Sequence, residues 1–199
     1  MTKFEEKKFN IPALKGISVK TIEEHLKLYA GYVKNANGIQ ESLIKYSADT
    51  ATNAYVMNEL GRRFSFEYNG MRNHEVYFSS FEGGPKSLND KSSLKKAIEK
   101  DCGPFDEFLN SFKNMAAITR GIGWAVLWYD RKEKCLLASW VDEQHLGQLQ
   151  DCAMIIGLDM WEHSYVADYA PSGKKQYIED FFANLNWEVV EKRFKDAQY

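Results

Sequence analysis

The sequence predicts an α+β fold, with an N-terminal helical hairpin domain over residues 1–84 and a C-terminal domain over residues 85–199. Apolar residues recur at helical spacing through much of the first half. The Gly-Gly-Pro run at 83–85 is the strongest helix breaker in the chain. Short runs rich in Trp, Val and Leu follow after residue 120. We expect these runs to form a small three-stranded antiparallel sheet surrounded by helices.

The N-terminal half is predicted to be helical after an extended arm that ends at Pro12. Ser18 is suited to cap the first helix, because apolar residues recur behind it at positions 22, 26, 29 and 33. The adjacent Asn37 and Gly38 predict a break in this helix. Two further helical stretches are predicted over 51–60 and 71–81, with an interruption at 68–70.

The C-terminal half mixes both kinds of pattern. Helices are predicted over 91–101, 104–119 and 174–197. The runs at 123–129 and 134–142 flank a polar turn and predict a β-hairpin. A third apolar run at 153–159 is predicted to supply the remaining strand.

Composition and charge exclude several classes of protein. The 199 residues are 44% hydrophobic, enough for a sizeable core, and the net charge of −2 gives no field that attracts nucleic acid or anionic lipid. No run reaches the roughly 18 apolar residues of a membrane-spanning helix, and the N-terminus lacks the apolar stretch of a signal peptide. Cys102, Cys135 and Cys152 lie far apart without metal-binding spacing. We therefore expect a cytoplasmic protein with reduced thiols and without nucleic-acid or membrane partners.

Histidines supply the first candidates for chemistry. The chain has four of them, at positions 25, 74, 145 and 163. His25, Tyr29 and Tyr32 share one face of the first predicted helix. For His25 alone, a hydrogen-bonded core imidazole and a metal ligand are both open interpretations.

Asp159 and His163 favour a metal site. An apolar run leads to Asp159, and His163 follows four residues later. A buried carboxylate beside an imidazole is costly unless each has a partner, and a metal ion meets both needs. Carboxylate and imidazole donors suit iron, manganese or zinc, and the lack of a sulfur ligand in this motif disfavours a structural zinc site.

Several motifs along the chain point to one known family. Segment 159–165 reads Asp-Met-Trp-Glu-His-Ser-Tyr. Shorter motifs are Thr-Ile-Glu-Glu-His at 21–25, Asn-His at 73–74, Gly-Ile-Gly-Trp at 121–124 and Asn-Trp at 186–187. In the same order they resemble the motifs of iron/manganese superoxide dismutases, whose signature is Asp-x-Trp-Glu-His-x-Tyr. The match extends from Phe9 to Phe194.

The resemblance implies an oxidoreductase that converts superoxide to dioxygen and hydrogen peroxide by alternately reducing and oxidising one manganese or iron ion. It implies four metal ligands: His25, His74, Asp159 and His163. Manganese is favoured by Gly70, Gln144 and Gly157, and use of both metals is the alternative.

The resemblance also implies residues that act beside the metal. Tyr32 matches a tyrosine at the substrate entrance. Tyr29 stands where the family usually has a second entrance residue, a histidine, and the segment from the first ligand to Tyr32 is one residue shorter than usual. Gln144 is favoured over His145 as the group that hydrogen-bonds the metal-bound solvent, with Gly70 leaving room for it.

Further residues are implied around the pocket and at a homodimer interface. The pocket-lining positions are Trp124, Trp161, Phe78 and Val126, the last two where relatives often carry tryptophan. The interface positions are Glu162 and Tyr165. Two alternative interpretations are a metal-binding relative that lacks catalysis and a non-haem iron oxygenase, and the third histidine disfavours the oxygenase.

Overall fold

Two long helices lead into a mixed α and β region, in the order that the sequence predicts. The computed structural model describes residues 3–199, and an arm without regular structure (residues 3–14) precedes the first helix. The helices are α1 (Val19–Tyr46), α2 (Thr50–Ser79), α3 (Ser93–Cys102), α4 (Phe105–Ile118), α5 (Lys174–Asn184) and α6 (Trp187–Ala197). The strands are β1 (Trp124–Asp130), β2 (Cys135–Val141) and β3 (Cys152–Asp159). The α+β fold class is confirmed.

α1 and α2 form the helical hairpin and are joined by one turn of 3₁₀ helix (Ser47–Asp49). Ser18 caps α1, because its Oγ accepts a hydrogen bond from the Thr21 amide at 3.1 Å. Asp49 caps α2 in the same way, through the Thr52 amide at 3.1 Å.

Both breaks that the sequence predicts inside these helices are wrong, because tertiary contacts outweigh local propensity. α1 continues through Asn37 and Gly38. The Asn37 side chain exchanges two 2.9 Å hydrogen bonds with the backbone of Phe4 on the arm, so a residue typical of turns is used to hold the arm. α2 continues through residues 68–70, where the ring of Tyr32 fills the space beside Gly70.

The sheet has the strand order β2-β1-β3, and all its pairs are antiparallel. Trp124 at the start of β1 lies opposite Val141 on one side and Asp159 on the other. A shift of register between Leu127 and Trp128 marks a β-bulge against β3. The three-stranded antiparallel sheet is confirmed, and its central strand brings Trp124 beside the end of β3.

The last predicted helix is in fact two, α5 and α6, which are separated at Leu185 and Asn186. Asn186 is extended and caps α6, because its Oδ1 accepts from the Glu188 amide at 3.1 Å. The backbone N–H of Asn186 donates to Ser80 O at 2.8 Å, and its side-chain Nδ2 donates to Glu82 O at 2.7 Å. These bonds tie the C-terminal helices to the end of α2.

The domain division at residue 84 stays a prediction.

α2 contributes to both halves of the structure, since it packs on α1 and also on β3. Tyr77 and Phe78 of α2 and Phe81 in the turn after it are fully buried, and the Phe181 ring of α5 stacks on Tyr77 with centroids 5.7 Å apart. Aromatic packing of this kind fixes the angle of a helix over a sheet. No helix within residues 3–199 is long and apolar enough to span a membrane.

We expect Asn186→Ala to destabilise the protein by about 2 kcal/mol, because it removes a helix cap and a buried hydrogen bond to Glu82. Urea unfolding of the variant and the parent protein, both at full metal occupancy, measures the difference. Asn58→Ala is the matched control, since Asn58 is exposed within α2. Equal losses in both variants would contradict the tie at Asn186.

Candidate metal centre

Four side chains from four separate elements meet at one point. His25 lies on α1, His74 on α2, Asp159 at the last position of β3, and His163 in the 3₁₀ turn Glu162–Ser164 that follows. One donor atom from each lies within 4.8 Å of all the others. The structure thus brings together the four residues that the sequence predicts as ligands.

The donor atoms converge on one oxygen of Asp159. The Nε2 atoms of His25 and His163 each lie 3.1 Å from Asp159 Oδ2, and His74 Nε2 lies 3.7 Å from it. The side chains of His25, His74 and Asp159 are fully buried, whereas that of His163 is 22% exposed. The cluster is therefore enclosed on three sides and open towards His163.

The backbone determines which nitrogen of His74 faces the cluster. His74 Nδ1 lies 2.6 Å from Gly70 O, and because a carbonyl only accepts, this nitrogen carries the proton. Nε2 then presents its lone pair to the centre, and it has no hydrogen-bond partner within residues 3–199. Burial lowers the pKa of His74 to about 3 and also lowers that of His25, so both imidazoles are neutral at pH 7.

Asp159 is held from both sides. Its Oδ1 accepts a 2.8 Å bond from the Trp161 amide, and its carbonyl accepts from the Tyr177 hydroxyl at 2.9 Å and from Ser164 Oγ at 3.0 Å. Burial by itself raises the pKa of the Asp159 carboxyl, but His163 and then His25 outweigh it and hold this pKa below its usual range. The carboxylate is therefore ionised.

These residues fit a metal ion. The lone pair of His74 Nε2, directed at a buried carboxylate, lacks a favourable partner, and a cation between them supplies one. Three imidazole nitrogens and one carboxylate oxygen suit manganese, iron or zinc. The three cysteines are half-buried and none belongs to the cluster that the described residues form.

The comparison with known proteins agrees with this geometry. Residues 90–193 match the family model described as iron/manganese superoxide dismutases, C-terminal domain. The superoxide dismutase [Fe] of Aquifex aeolicus is 36% identical over 189 residues, which cover 92% of this chain and 87% of the relative. The chain belongs to the iron/manganese superoxide dismutase family.

Relatives with either metal in their names are similar to this chain. The superoxide dismutase [Fe] of Cupriavidus metallidurans is 34% identical over 186 residues, covering 92% of this chain and 91% of the relative. The mitochondrial superoxide dismutase [Mn] of Glossina morsitans morsitans is 28% identical over 192 residues, covering 95% and 87%. Similarity to both groups leaves the choice of metal open.

Gln144 lies buried beside the four-residue cluster, in a chain of hydrogen bonds. Trp124 Nε1 donates to Gln144 Oε1 at 2.9 Å, and Gln144 Nε2 donates to the Tyr32 hydroxyl at 3.0 Å. The Trp124 ring lies edge-on to His74, with centroids 5.1 Å apart. The space beside Gly70 is filled by the Tyr32 ring, since a Cβ there would lie 2.5 Å from Tyr32 Cδ1. The expectation that Gly70 makes room for Gln144 is therefore replaced by a contact with Tyr32.

Tyr29 and His145 both contact parts of the fold away from the four candidate ligands. The Tyr29 hydroxyl accepts a hydrogen bond from the Lys7 amide at 2.9 Å and contacts Glu75 Oε1 at 3.4 Å. Its partners thus lie on the N-terminal arm and on α2, not beside Tyr32. His145 is half-buried, with its ring edge-on to Phe66 at 5.7 Å between centroids. It is therefore packed against α2 and is not a free surface histidine.

The pocket-lining residues surround the four candidate ligands. The Trp161 ring stacks near His163 with centroids 5.7 Å apart, and Phe78 lies edge-on to His25 at 4.9 Å. Val126 is buried within β1. Glu162 is exposed beside His163, and Tyr165 stacks on Tyr177 at 5.3 Å. The homodimer that Glu162 and Tyr165 imply stays a prediction.

Sequence reasoning missed three supporting residues. Tyr177 and Ser164 hold the Asp159 carbonyl, and Gln148 donates to the carbonyl of Gln144 at 3.1 Å. No motif marks Tyr177 or Gln148, because each acts on a backbone oxygen supplied by another segment. Ser164 lies within the signature segment, in one of its variable positions.

We expect His74→Ala to lower metal affinity more than about 100-fold, because the variant loses one of the four proposed ligands and not only a group that orients a ligand. Metal content after dialysis against a chelator, measured by mass spectrometry, checks this. His145→Ala is the matched control and keeps its metal. Full metal content in His74→Ala would contradict its assignment as a ligand.

The pKa of His74 predicts a pH dependence for the metal-free protein. His74 has its ordinary pKa of 6.5 when unfolded and about 3 when folded, so between these values the unfolded state binds the extra proton. The free energy of unfolding should therefore fall below pH 6.5, by about 1.4 kcal/mol per pH unit from this residue. Urea unfolding between pH 7 and pH 4 measures the slope. His74→Gln should reduce the slope, and an unchanged slope would contradict a buried neutral His74.

Proposed function

We propose that this protein is a superoxide dismutase that holds one manganese or iron ion per chain between His25, His74, Asp159 and His163. The observation that carries the proposal is the convergence of three Nε2 atoms on Asp159 Oδ2 in a buried pocket. Membership of the iron/manganese superoxide dismutase family supplies the reaction. Superoxide is the proposed substrate, and dioxygen and hydrogen peroxide are the products.

When bound, manganese or iron would supply one-electron chemistry, alternately taking an electron from one superoxide and giving an electron to another. The chain would contribute a ligand set with a single negative charge, because an imidazole binds a metal in its neutral form and the Asp159 carboxylate is ionised. Burial of three of these side chains shields the centre from larger reductants.

Gln144 and Tyr32 are proposed to hold the protons that peroxide formation needs. Trp124 Nε1 can only donate, so Gln144 Oε1 faces it and the amide nitrogen faces Tyr32. Because the Tyr32 oxygen accepts from Gln144, its own proton is free to be donated elsewhere. Burial and then the charge of Asp159 raise the pKa of Tyr32, which keeps this hydroxyl protonated at pH 7.

Manganese is the metal we favour, on the pattern of Gly70, Gln144 and Gly157, with use of both metals as the alternative. Gly157 lies in β3 two residues before Asp159, and a Cβ there would meet Met154 Sδ at 2.7 Å. A side chain at this position would displace the flexible end of Met154.

We also propose a homodimer and a cytoplasmic location. The exposure of Glu162 next to the partly exposed His163 supports an interface on this side of the centre. The location remains an inference from reduced cysteines.

The decisive experiment loads metal-free protein separately with manganese and with iron, and assays superoxide dismutation per bound metal. We expect both forms to bind one ion per chain and the manganese form to be the more active. Comparable rates would mean that the enzyme uses either metal. Full occupancy without activity in either form would exclude the dismutase and leave the metal-binding relative.

A further inference from the structure

Three amide groups form a closed hydrogen-bonded triangle behind Gln144. Gln144 O accepts from Asn73 Nδ2 at 3.0 Å and from Gln148 Nε2 at 3.1 Å. Gln148 Nε2 also donates to Asn73 Oδ1 at 3.1 Å. A carbonyl has two lone pairs and an amide nitrogen has two protons, so the bonds use both lone pairs of Gln144 O and both protons of Gln148.

The triangle joins two parts of the centre that the chain separates widely. Asn73 precedes His74 on α2, whereas Gln144 and Gln148 lie in the loop between β2 and β3. Gln148 is the side chain that bonds to both of the other members. It therefore adds a second link, besides the direct bond from Asn73, between the helix that carries His74 and the loop that carries Gln144.

The loop needs such a tie because its backbone is strained. Glu143, directly before Gln144, has a φ of +48°, which costs a non-glycine residue about 1 kcal/mol or more. Asp142 and Leu146 close a tight turn around it through hydrogen bonds of 2.8 and 3.1 Å. Without the bonds to its carbonyl, Gln144 could relax away from Tyr32 and Trp124.

We propose that Gln148 is a positioning residue that holds the Gln144 amide against the metal centre and so tunes the electron affinity of the bound metal. This inference rests on the proposed function. Within residues 3–199, Gln148 makes no hydrogen bond to the four candidate ligands or to Tyr32. Its influence on the metal centre therefore passes through Gln144. Replacing it removes two of the three bonds of the triangle and leaves the Asn73 bond as the only one of them on the Gln144 carbonyl.

The test compares wild-type protein with Gln148→Met, which has similar length but no donor. Both are loaded with manganese, and two quantities are measured: the midpoint potential of the metal and the dissociation constant for azide, an anionic probe. A displaced Gln144 N–H stabilises anionic ligands of the centre less well. We therefore expect the potential to rise by about 59 mV, the equivalent of a tenfold change for one electron. Azide binding should weaken by about tenfold, since about one hydrogen bond to a charged group is lost.

Gln150→Met is the matched control, because Gln150 is exposed in the same loop. It should match wild type in both quantities. If Gln148→Met does not bind a full complement of manganese, the nearly isosteric Gln148→Glu is measured instead. Its potential and azide constant are compared with wild type in the same way. It replaces the two donors by acceptors facing the Gln144 carbonyl.

The outcomes separate the two proposals. An unchanged midpoint potential and an azide dissociation constant within about twofold of wild type would overturn the role of Gln148. Loss of the hydrogen bonds should change azide binding by more than that. Inactive wild-type protein at full metal occupancy would instead overturn the dismutase function. A raised potential with weakened azide binding, in an otherwise fully loaded variant, supports the positioning role.

Discussion

The crowding of three imidazole nitrogens around one buried carboxylate oxygen is the constraint on which the rest of the structure depends. Two Nε2 atoms lie 3.1 Å from Asp159 Oδ2 and a third lies 3.7 Å away. Because His74 keeps its proton on the far nitrogen, its lone pair gains nothing from the carboxylate. Burying such a set costs free energy unless a cation compensates it. Rigid elements must therefore hold these groups in place before any metal binds, and each comes from a different element.

The surroundings supply that rigidity through bonds to backbone oxygens. The Gly70 carbonyl orients His74, and the Asp159 carbonyl is held by Tyr177 and Ser164. The Tyr177 hydroxyl donates its only proton to the Asp159 carbonyl. The Tyr77 hydroxyl, 3.2 Å from the Tyr177 hydroxyl, must therefore be the donor between these two phenols. A chain of phenols thus runs from α2 to the end of β3 beneath the metal centre. These bonds fix position without adding charge, which leaves the electrostatics to the ligands.

The sequence predicted the site better than the elements that carry it, and the reason is physical. Asp159 and His163 lie within one short motif, and the resemblance to the family, together with a count from the second hairpin strand, implied Gln144. The breaks at Asn37 and at 68–70 were wrong because turn-forming residues there are satisfied by Phe4 and Tyr32 from distant segments. Gln148 and Tyr177 could not be found, since their partners are backbone atoms that only the fold brings near. The split between α5 and α6 likewise depends on contacts of Asn186 with α2.

Tyr29 links the N-terminal arm to α2. Family members usually have a histidine here, whereas Tyr29 bonds to the Lys7 amide and contacts Glu75, the neighbour of His74. Burial raises its pKa to about 12, so it remains a donor to the Glu75 carboxylate.

The arm that Tyr29 holds carries Phe9, whose ring lies 5.5 Å from Phe78, itself 4.9 Å from His25. The arm thereby packs behind Phe78, which lies next to the candidate ligand His25. Tyr29 thus supports the pocket from behind, whereas the Tyr32 ring lies 5.0 Å from that of His74 and its hydroxyl accepts a bond from Gln144.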